Sequence, residues 1–500
     1  MTDHRNTNQT GLMNAEVQHR LDIARLILDA RLAQTGWIET SLRQRLAVVT
    51  ALRHLIARNA SYLSQSVGER PGRAEGETLA LEVLPLADAC RFLEREAEAL
   101  LAPRRLGSKG RPLWLSGASA EIRREPLGVI LVVAPSNYPL FLPGVQIVQA
   151  LVAGNAILIK PAPGCVEPMR VLLGLLEDAG LPSGLCVLLD ETVEAGREAI
   201  AAGIDKLVLT GSAETGRRVL ADLAPHLTPA VMELSGNDAV FVLPGADLDL
   251  TAKALAYGLR LNGGATCIAP RRVFADRGCA LELEQRLTPL ALSLPPVAVP
   301  ERIRTQVASL LGEAEDAGCR LIGPRFRVDE PRMSPVIVAD AVPELGLLRE
   351  DIFAPVLSLV PVAGEADALD AAAQCPYALG ASIFGPEPMA RSLAGRVRAG
   401  SVIVNDLIVP TADPRLPFGG QGISGFGTTR GAEGLLEMTV LKTITLRSGR
   451  FRPHYDPVTP DDTAMMLDYI AAAHGDGARW PAVKRLVMGL MERGRGMRQG

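Results

Sequence analysis

A cysteine in a glycine-rich segment is the residue of this 500-residue chain best suited to nucleophilic chemistry. Cys267 ends the run 262–267 (NGGATC), which follows a predicted helix. Glycine-rich backbone makes a thiol accessible, whereas most cysteines are small, buried, hydrophobic residues. An unperturbed thiol is only about 3% thiolate at pH 7, so a nucleophile here would need electrostatic assistance.

Two polar residues earlier in the chain are candidates to assist this thiol. Glu233 ends a strand of the buried type, where an unpaired carboxylate is costly, so a functional base or a structural ion pair would explain it. Asn137 lies between two prolines directly after a predicted strand, and its alternative role is local capping of the backbone.

Three further features are typical of an anion or ligand site. Lys160 ends a predicted strand at the sheet edge where α/β proteins bind ligands, although a surface lysine is the simpler interpretation. Residues 210–216 (TGSAETG) form a strand-to-helix turn whose amides could approach a phosphate, but they match neither the dinucleotide fingerprint nor a P-loop. Residues 417–427 (PFGGQGISGFG) are so rich in glycine that we expect a loop pressed closely against another element.

The elements that must position these residues alternate between strands and helices. After a helical region from about Asn14 to Arg104, short apolar runs alternate with helical windows. This pattern predicts two successive α/β domains with parallel sheets covered on both faces. The segments 118–124 and 438–446 instead alternate as exposed antiparallel strands do, and such edges favour pairing with another subunit.

Composition and charge exclude several classes of protein. With 48% hydrophobic and 22% charged residues, the chain is not largely disordered. A net charge of −4 argues against nucleic-acid binding, and the apolar runs are far shorter than a membrane span. The N-terminus lacks a secretory h-region, and seven scattered cysteines without a CxxC pair predict no disulfide framework and no metal site. The sequence therefore predicts a cytoplasmic protein.

The ordered set of these features resembles the aldehyde dehydrogenase superfamily over roughly residues 15–445. The resemblance rests on the order of the motifs, the 34-residue interval between Glu233 and Cys267, the Phe353-Ala354-Pro355 run and Pro417–Gly420. It implies that Cys267 attacks an aldehyde carbonyl, that Asn137 and the Cys267 backbone N–H form the oxyanion hole, and that Glu233 activates the water that hydrolyses a thioester.

The resemblance also implies an NAD or NADP site, with some departures from the family pattern. Lys160 would hold the adenosine ribose, Gly211, Ser212 and Gly216 the pyrophosphate, and Phe353 the nicotinamide. The family often has glutamate three residues after the lysine, but Pro163 stands here, which makes NADP as credible as NAD. Near the nicotinamide ribose, Asp351 replaces the usual glutamate, and Glu350 could substitute for it.

The aldehyde tunnel implied by the resemblance is apolar, and no arginine is evident among its residues. This favours a hydrophobic aldehyde over one that carries a carboxylate. The residues implied are Tyr138, Phe141, Ile268, Leu407 and Phe418.

The resemblance implies a division of the chain into a cofactor-binding domain, a catalytic domain and strands that join subunits of a homodimer or homotetramer. The boundaries are a disordered tail at 1–13, a Rossmann-like cofactor-binding domain at 14–117 and 127–233, a catalytic domain at 234–434, oligomerisation strands at 118–126 and 435–449, and a C-terminal extension at 450–500.

The C-terminal extension exceeds the resemblance. Helical windows are expected at 461–473 and 481–493, and residues 479–500 hold six Lys or Arg against one acid, a local charge of +5. A basic amphipathic helix can lie on an anionic membrane surface, and docking on its own fold or on a sister subunit is the alternative.

The sequence therefore predicts an NAD(P)-dependent aldehyde dehydrogenase that forms a carboxylic acid. One alternative is a relative that transfers the acyl group to coenzyme A, against which Glu233 argues, since a hydrolytic base has little purpose there. The other alternative is a catalytically silent nucleotide-binding scaffold, against which the intact Cys267, Asn137 and Glu233 argue.

Overall fold

The computed structural model describes residues 22–70, 73–450, 452–477 and 479–496. The predicted tail at 1–13 lies outside these residues. The chain separates into two compact units. The first contains the residues up to Arg104 together with Ile122–Thr443, and the second contains Arg105–Glu121 and Ile444–Gly500.

Short runs of β-branched residues and leucine form most of the strands. In chain order the strands are β1 Arg104–Leu106, β2 Ala118–Pro126, β3 Val129–Val133, β4 Ala156–Lys160, β5 Cys186–Leu188, β6 Lys206–Gly211, β7 Ala230–Leu234, β8 Asp238–Val242, β9 Pro270–Asp276, β10 Val297–Ala298, β11 Arg320–Ile322, β12 Arg332–Met333, β13 Val336–Ala339, β14 Val356–Val362, β15 Tyr377–Ala378, β16 Gly380–Phe384, β17 Ser401–Val404, β18 Gln421–Gly422, β19 Gly425–Phe426 and β20 Thr439–Arg447.

Helices cover the parallel strands of the two large sheets, as buried parallel sheets require. The helices are α1 at 22–38, α2 Leu42–Arg58, α3 Ala60–Ser66, α4 Glu75–Thr78, α5 Leu84–Leu101, α6 Phe141–Ala153, α7 Val166–Asp178, α8 Val193–Gly203, α9 Ala213–Leu223, α10 Leu248–Arg260, α11 Arg277–Leu292, α12 Glu301–Asp316, α13 Glu365–Ala373, α14 Glu387–Ala394, α15 Gly431–Glu437, α16 Pro460–His474 and α17 Trp480–Gly496. None of those in the described parts of the chain combines the length and apolar composition that a bilayer crossing requires.

A six-stranded sheet carries the first set of predicted site residues. Its order is β19-β7-β6-β3-β4-β5. The strands from β7 to β5 are parallel, whereas β19 runs antiparallel to β7 and places Gly425 opposite Glu233. The sequence predicted only a loop at β19, because glycines give no alternation of apolar and polar side chains.

A seven-stranded sheet follows in the order β11-β13-β14-β9-β8-β16-β17. All its pairings are parallel except that of the edge strand β11 with β13. The predicted fold class, two parallel-sheet α/β regions with additional antiparallel strands, is confirmed. The short strands β11 and β13 were not predicted.

A third sheet joins β1, β2 and β20 in that order. Strand β2 matches the predicted segment 118–126 in its bounds. The later strand begins at Thr439 rather than at 435, because residues 435–437 complete helix α15. The side chains of β20 are mostly exposed.

The C-terminal part of the second unit is an α16–α17 pair, linked by the ion pair of Arg485 with Asp468. Apolar side chains on both helices are exposed to solvent. They are Met466, Leu467, Ile470, Trp480, Val487 and Met488. The side chains of Leu490 and Met491, which the sequence placed on the apolar face, lie outside the described residues.

A buried ion pair sets the position of helix α6 and of the loop before it. Arg73 and Glu82 have fully buried side chains, 2.8 Å apart. The second oxygen of Glu82 accepts hydrogen bonds from the backbone N–H groups of Leu140 and Phe141 at the start of α6. Arg73 also donates to the carbonyl of Asn137, so this pair fixes the loop that carries a predicted catalytic residue.

We expect Glu82→Ala to lower the free energy of unfolding by about 3–5 kcal/mol, because it leaves the Arg73 charge buried and unpaired. Denaturant titration followed by circular dichroism measures this change. The control is Glu387→Ala, which removes an exposed ion pair with Arg391 and should cost at most about 1 kcal/mol. Equal losses from the two substitutions would contradict the account of the buried pair.

Candidate active site

The backbone around Cys267 is held in an unusual conformation. Asn262 and Gly264 have positive φ angles of 53° and 79° in the segment between α10 and the cysteine. A Cβ at Gly264 would lie 2.7 Å from the carbonyl carbon of Ala354, so only glycine fits there without a shift. The buried Arg271 donates to the carbonyls of both Gly264 and Ala354 and joins the two loops. It is therefore a structural residue of the cysteine loop.

Asn137 lies directly beside this cysteine loop. Its Nδ2 donates to the carbonyl of Ala265 (3.1 Å), and its own carbonyl accepts a hydrogen bond from Asn262 Nδ2 (3.1 Å). A side-chain amide has two N–H groups, so one remains available to an oxygen in the adjacent space. The arrangement suits an oxyanion donor.

Glu233 is a buried carboxylate with one satisfied and one unsatisfied oxygen. Thr429 Oγ1 donates to Glu233 Oε2 at 2.9 Å, whereas Oε1 is buried and has no hydrogen-bond partner among the described residues. Burial raises the pKa of Glu233, and the charge of Arg430 and the hydrogen bond from Thr429 oppose this rise. A carboxylate with a raised pKa and a vacant oxygen is suited to accept a proton.

Cys267 is a thiol rather than a thiolate at neutral pH in this environment. Burial raises its pKa, and the nearby carboxylates of Glu233, Asp238 and Asp351 raise it further. The charge of Arg430 opposes this rise in the pKa of the thiol. The sulfur must therefore lose its proton to a base when it reacts.

A cavity of about 420 Å³ brings seven of the predicted site residues together. Its lining includes both candidate catalytic residues and candidate cofactor residues. The seven are Asn137, Gly211, Ser212, Glu233, Cys267, Asp351 and Phe353.

The turn after β6 occupies one wall of this cavity. Ser212 is the N-cap of α9, and its hydroxyl accepts a hydrogen bond from the Thr215 N–H. Gly211 lines the cavity, but Gly216 does not. A Cβ at Gly216 would lie 2.8 Å from Leu234, so this glycine allows α9 to pack against the end of β7.

Lys160 lies at the end of β4 and outside the lining of this cavity. Burial lowers the pKa of Lys160, and the carboxylates of Glu191, Asp190 and Glu194 oppose this effect. Glu191 Oε2 accepts a hydrogen bond from the Gly164 N–H at 2.8 Å, next to Pro163. A carboxylate from another loop therefore lies beside the position where the sequence lacks one.

Asp351 and Glu350 both line the cavity but have different surroundings. Asp351 is half-buried, and its Oδ1 is buried without a hydrogen-bond partner among the described residues. Burial raises the pKa of Asp351, opposed by a hydrogen bond with Ser235 and by the charge of Arg271. Glu350 is exposed and accepts a hydrogen bond from Gln306 at 2.8 Å. The inner carboxylate is thus the one at the position predicted from the sequence.

The five residues predicted for the aldehyde tunnel do not line this cavity. Tyr138, Phe141, Leu407 and Phe418 are buried, and Ile268 is half-buried. The hydroxyl of Tyr138 forms a hydrogen bond with Thr266 at 2.7 Å, and Thr266 precedes Cys267 in the chain.

The expectation that no arginine lies among these residues is wrong. The guanidinium carbon of Arg430 lies 4.1 Å from the ring centroid of Phe418 and 5.6 Å from that of Phe141. Arg430 is buried and lies close enough to Glu233 and Cys267 to act on the pKa of both groups. The sequence shows this arginine three residues after the glycine-rich run 417–427, but nothing in the pattern indicates that the segment folds back over β7.

The comparisons with known proteins agree with this arrangement. The family model described as the aldehyde dehydrogenase family matches residues 2–444. The chain belongs to the aldehyde dehydrogenase family. The 4,4'-diapolycopene aldehyde oxidase of a Methylomonas species is 31% identical over 428 residues, which cover 83% of this chain and 80% of that protein.

Two solved structures show the same fold. A crystal structure of a Mycobacterium tuberculosis aldehyde dehydrogenase complexed with NAD+ has a TM-score of 0.79 at 25% identity and covers 87% of this chain and 92% of that one. The structure of an NADP-dependent glyceraldehyde-3-phosphate dehydrogenase from Bacillus halodurans, complexed with NADP, has a TM-score of 0.79 at 27% identity. The match covers 86% of this chain and 91% of that one.

The predicted family and enzyme class are therefore confirmed. This aldehyde dehydrogenase oxidises an aldehyde to a carboxylic acid with NAD or NADP as the cofactor. The residues of the 420 Å³ cavity fit such a group: the cavity has a helix N-terminus with a serine cap, a glycine at the turn and a half-buried aspartate whose Oδ1 has no partner among the described residues.

Proposed function

We propose that this enzyme oxidises an apolar aldehyde through a covalent intermediate on Cys267 and hydrolyses that intermediate with Glu233. The observation that carries the proposal is the joint placement of Cys267, Glu233 and Asn137 in the wall of one cavity. The water that hydrolyses the thioester needs a base and the developing oxyanion needs a donor, and Glu233 and Asn137 supply them.

The reaction begins when Cys267 loses its proton to water in the cavity and its sulfur adds to the aldehyde carbon. The carbonyl oxygen becomes an oxyanion that the free N–H of Asn137 and the backbone N–H of Cys267 bind. NAD or NADP, when bound, accepts the hydride that leaves this carbon. A thioester remains on the sulfur, and Glu233 removes a proton from the water that attacks it.

The substrate class follows from the residues that the family resemblance assigns to the aldehyde tunnel. Tyr138, Phe141, Leu407 and Phe418 are aromatic or aliphatic, and they are buried outside the lining of the 420 Å³ cavity. The Methylomonas relative is named for an aldehyde of a carotenoid-like, apolar compound, which supports the same class here. The Bacillus structure is named for a phosphorylated aldehyde, so an anionic substrate bound by Arg430 is the competing class.

We expect Cys267→Ala to abolish NAD(P)H formation from a medium-chain aldehyde. Glu233→Gln should retain one rapid burst of reduced cofactor, while steady-state turnover falls at least about tenfold because hydrolysis of the thioester is slowed. Absorbance of the reduced nicotinamide in stopped flow measures both. Unchanged turnover in Glu233→Gln would exclude it as the base. Reduction that requires coenzyme A would favour the acyl-transferring alternative, and no reduction with any aldehyde and either cofactor would favour the silent scaffold.

We also propose that the enzyme prefers NAD to NADP. Glu191, held by the Gly164 N–H next to Pro163, would accept hydrogen bonds from the ribose hydroxyls and repel a 2′-phosphate near Lys160. This carboxylate would replace the one that the sequence lacks three residues after Lys160.

Glu191→Gln should therefore reduce the ratio of NAD to NADP affinity by about tenfold, since it removes one charge repulsion near the phosphate. Isothermal titration calorimetry with each cofactor measures the ratio without any catalytic turnover. The exposed Glu387→Gln on α14 is the control and should leave the ratio unchanged. A wild-type enzyme that binds NADP more tightly would refute the preference.

We propose a homodimer or homotetramer in the cytoplasm. The exposed side chains of β20 at the edge of the three-stranded sheet support association through this sheet, because exposed edges favour strand pairing. All seven cysteines are free, which suits a reducing compartment.

Light scattering should give a mass of two or four times 53.1 kDa. A mass of one chain would refute the association.

We propose peripheral contact of the α16–α17 pair with an anionic membrane. Exposed Met466, Leu467 and Ile470 on α16 and Trp480 on α17 provide apolar surface, and the surplus of basic residues at 479–500 provides charge complementarity.

Full-length protein should therefore co-sediment with phosphatidylserine-containing liposomes more than a chain ending at residue 450, and added salt should weaken the binding. Neutral phosphatidylcholine liposomes are the control. Equal partition of the two proteins would refute the membrane contact, and so would loss of oligomerisation in the shorter chain without any liposome binding by the longer one.

A further inference from the structure

We propose that Thr429 and Arg430 are positioning residues for Glu233: Thr429 fixes Oε2, Arg430 balances the carboxylate charge, and Oε1 is left to take the proton of the hydrolytic water. The inference rests on the proposed function of Glu233 as the hydrolytic base. It goes beyond that role because it assigns separate tasks to the two carboxylate oxygens and to two residues outside the 420 Å³ cavity.

The backbone around Thr429 delivers its hydroxyl to Glu233. Phe418 and Thr429 exchange backbone hydrogen bonds of 2.8 and 2.7 Å, and Gly425 pairs with Glu233 across β19 and β7. The Thr429 hydroxyl also lies 3.2 Å from the Phe418 carbonyl, but its 2.9 Å contact with Glu233 is the shorter one. A hydroxyl has one hydrogen to donate, and an ionised carboxylate is the stronger acceptor.

Arg430 is a buried cation that forms no direct ion pair with any residue in the described part of the chain. Nη1 donates to the carbonyl of Thr411 at 2.8 Å, and Nε is buried without a partner among the described residues. The guanidinium packs on the face of Phe418, which holds it in place through a cation–π contact. The backbone φ angle of Arg430 is 62°, a strained value that a non-glycine residue adopts only when its surroundings enforce it.

The Arg430 cation faces two groups that can carry a negative charge, Glu233 and Cys267. Glu233 is faced by Arg430 and by the Cys267 thiol, and Cys267 is faced by Glu233, Arg430, Asp238 and Asp351. With Arg430 positive, one anion on either Glu233 or Cys267 makes the cluster of these three neutral. Arg430 can therefore stabilise the charge wherever it resides during the reaction, because a buried cation favours an adjacent anion.

The hydrolytic step then follows from the free oxygen. A water molecule gives a proton to Glu233 Oε1 while its oxygen bonds to the thioester carbon. The bond between that carbon and Cys267 Sγ breaks, and the carboxylic acid leaves. The proton on Glu233 passes to the departing sulfur, which restores the thiol and the carboxylate. Thr429 keeps Oε2 out of this exchange.

The space around Arg430 is too small for a substrate chain to reach it. The second cavity, lined by Phe141 and Arg430 among others, has a volume of only about 10 Å³. The guanidinium of Arg430 already contacts the rings of Phe418 and Phe141 and the carbonyl of Thr411. We therefore favour the charge-balancing task over the binding of a substrate carboxylate.

The test compares Thr429→Val with Thr429→Ser, and Arg430→Met with Arg430→Lys. Thr429→Val should slow hydrolysis about ten- to hundredfold, as expected when a hydrogen bond to a charged group is lost, and Arg430→Met should also slow it. Both should raise the pKa of Glu233, so the acidic limb of the turnover profile should move to higher pH. Thr429→Ser and Arg430→Lys keep the donor and the charge and should restore most of the rate.

A rapid-quench measurement of intact mass provides a second readout. With a medium-chain aldehyde and NAD, Thr429→Val should accumulate chains that carry the acyl group on Cys267, because formation of the thioester is unaffected while its hydrolysis is slow. Wild-type hydrolysis in Thr429→Val with an unmoved pH profile would overturn the assignment of Oε2. A simultaneous loss of acylation and hydrolysis in the serine variant would show a merely structural role and would overturn it as well.

The Arg430 variants also distinguish charge balancing by this residue from binding of a substrate carboxylate. If Arg430→Met raised KM for an ω-carboxy aldehyde with kcat unchanged, the residue would be a substrate anchor and the charge-balancing assignment would be wrong. If wild-type enzyme reduced neither cofactor with any aldehyde, the proposed function itself would fail. That result is distinct from a failure of the positioning role, which requires an active wild-type enzyme.

Discussion

The pairing of the glycine-rich segment 417–427 with strand β7 is the contact on which the active site depends. Gly425 lies opposite Glu233 with a φ of 104°, and a Cβ there would overlap the carbonyl of Met232. The Ser424 carbonyl accepts a hydrogen bond from Leu234, and the Ser424 hydroxyl donates to the carbonyl of Ser235 and accepts from the N–H of Ala378. Glycine is required because two backbones approach within hydrogen-bond distance.

Burial is the second constraint on this chemistry. It raises the pKa of both Glu233 and Cys267, because a low-dielectric surrounding disfavours the charged form of each group. Thr429 and Arg430 favour the ionised form of the base, and the low polarity around the sulfur strengthens each of these interactions. A thiol and a base that share one negative charge can serve both the attack and the hydrolysis.

The sequence predicted the fold class and the chain positions of the candidate site well, because strand-helix alternation and motif order are local properties. Seven of its site residues line one cavity. It could not place Arg430, because the antiparallel return of residues 417–430 over β7 depends on contacts far apart in the chain. For the same reason it could not find Glu191, which reaches the position beside Pro163 from a different loop. The roles assigned to these residues remain proposals.

The proposed chemistry passes through an acyl group on Cys267 that Glu233 removes. The most direct measurement is peptide mass spectrometry of Glu233→Gln after brief reaction with NAD and an aldehyde of known mass. We predict an adduct on Cys267 whose mass equals that of the acyl group, two hydrogens lighter than the aldehyde addition product. An unmodified Cys267 in a variant that has released reduced cofactor, or the same adduct on another cysteine, would contradict the account.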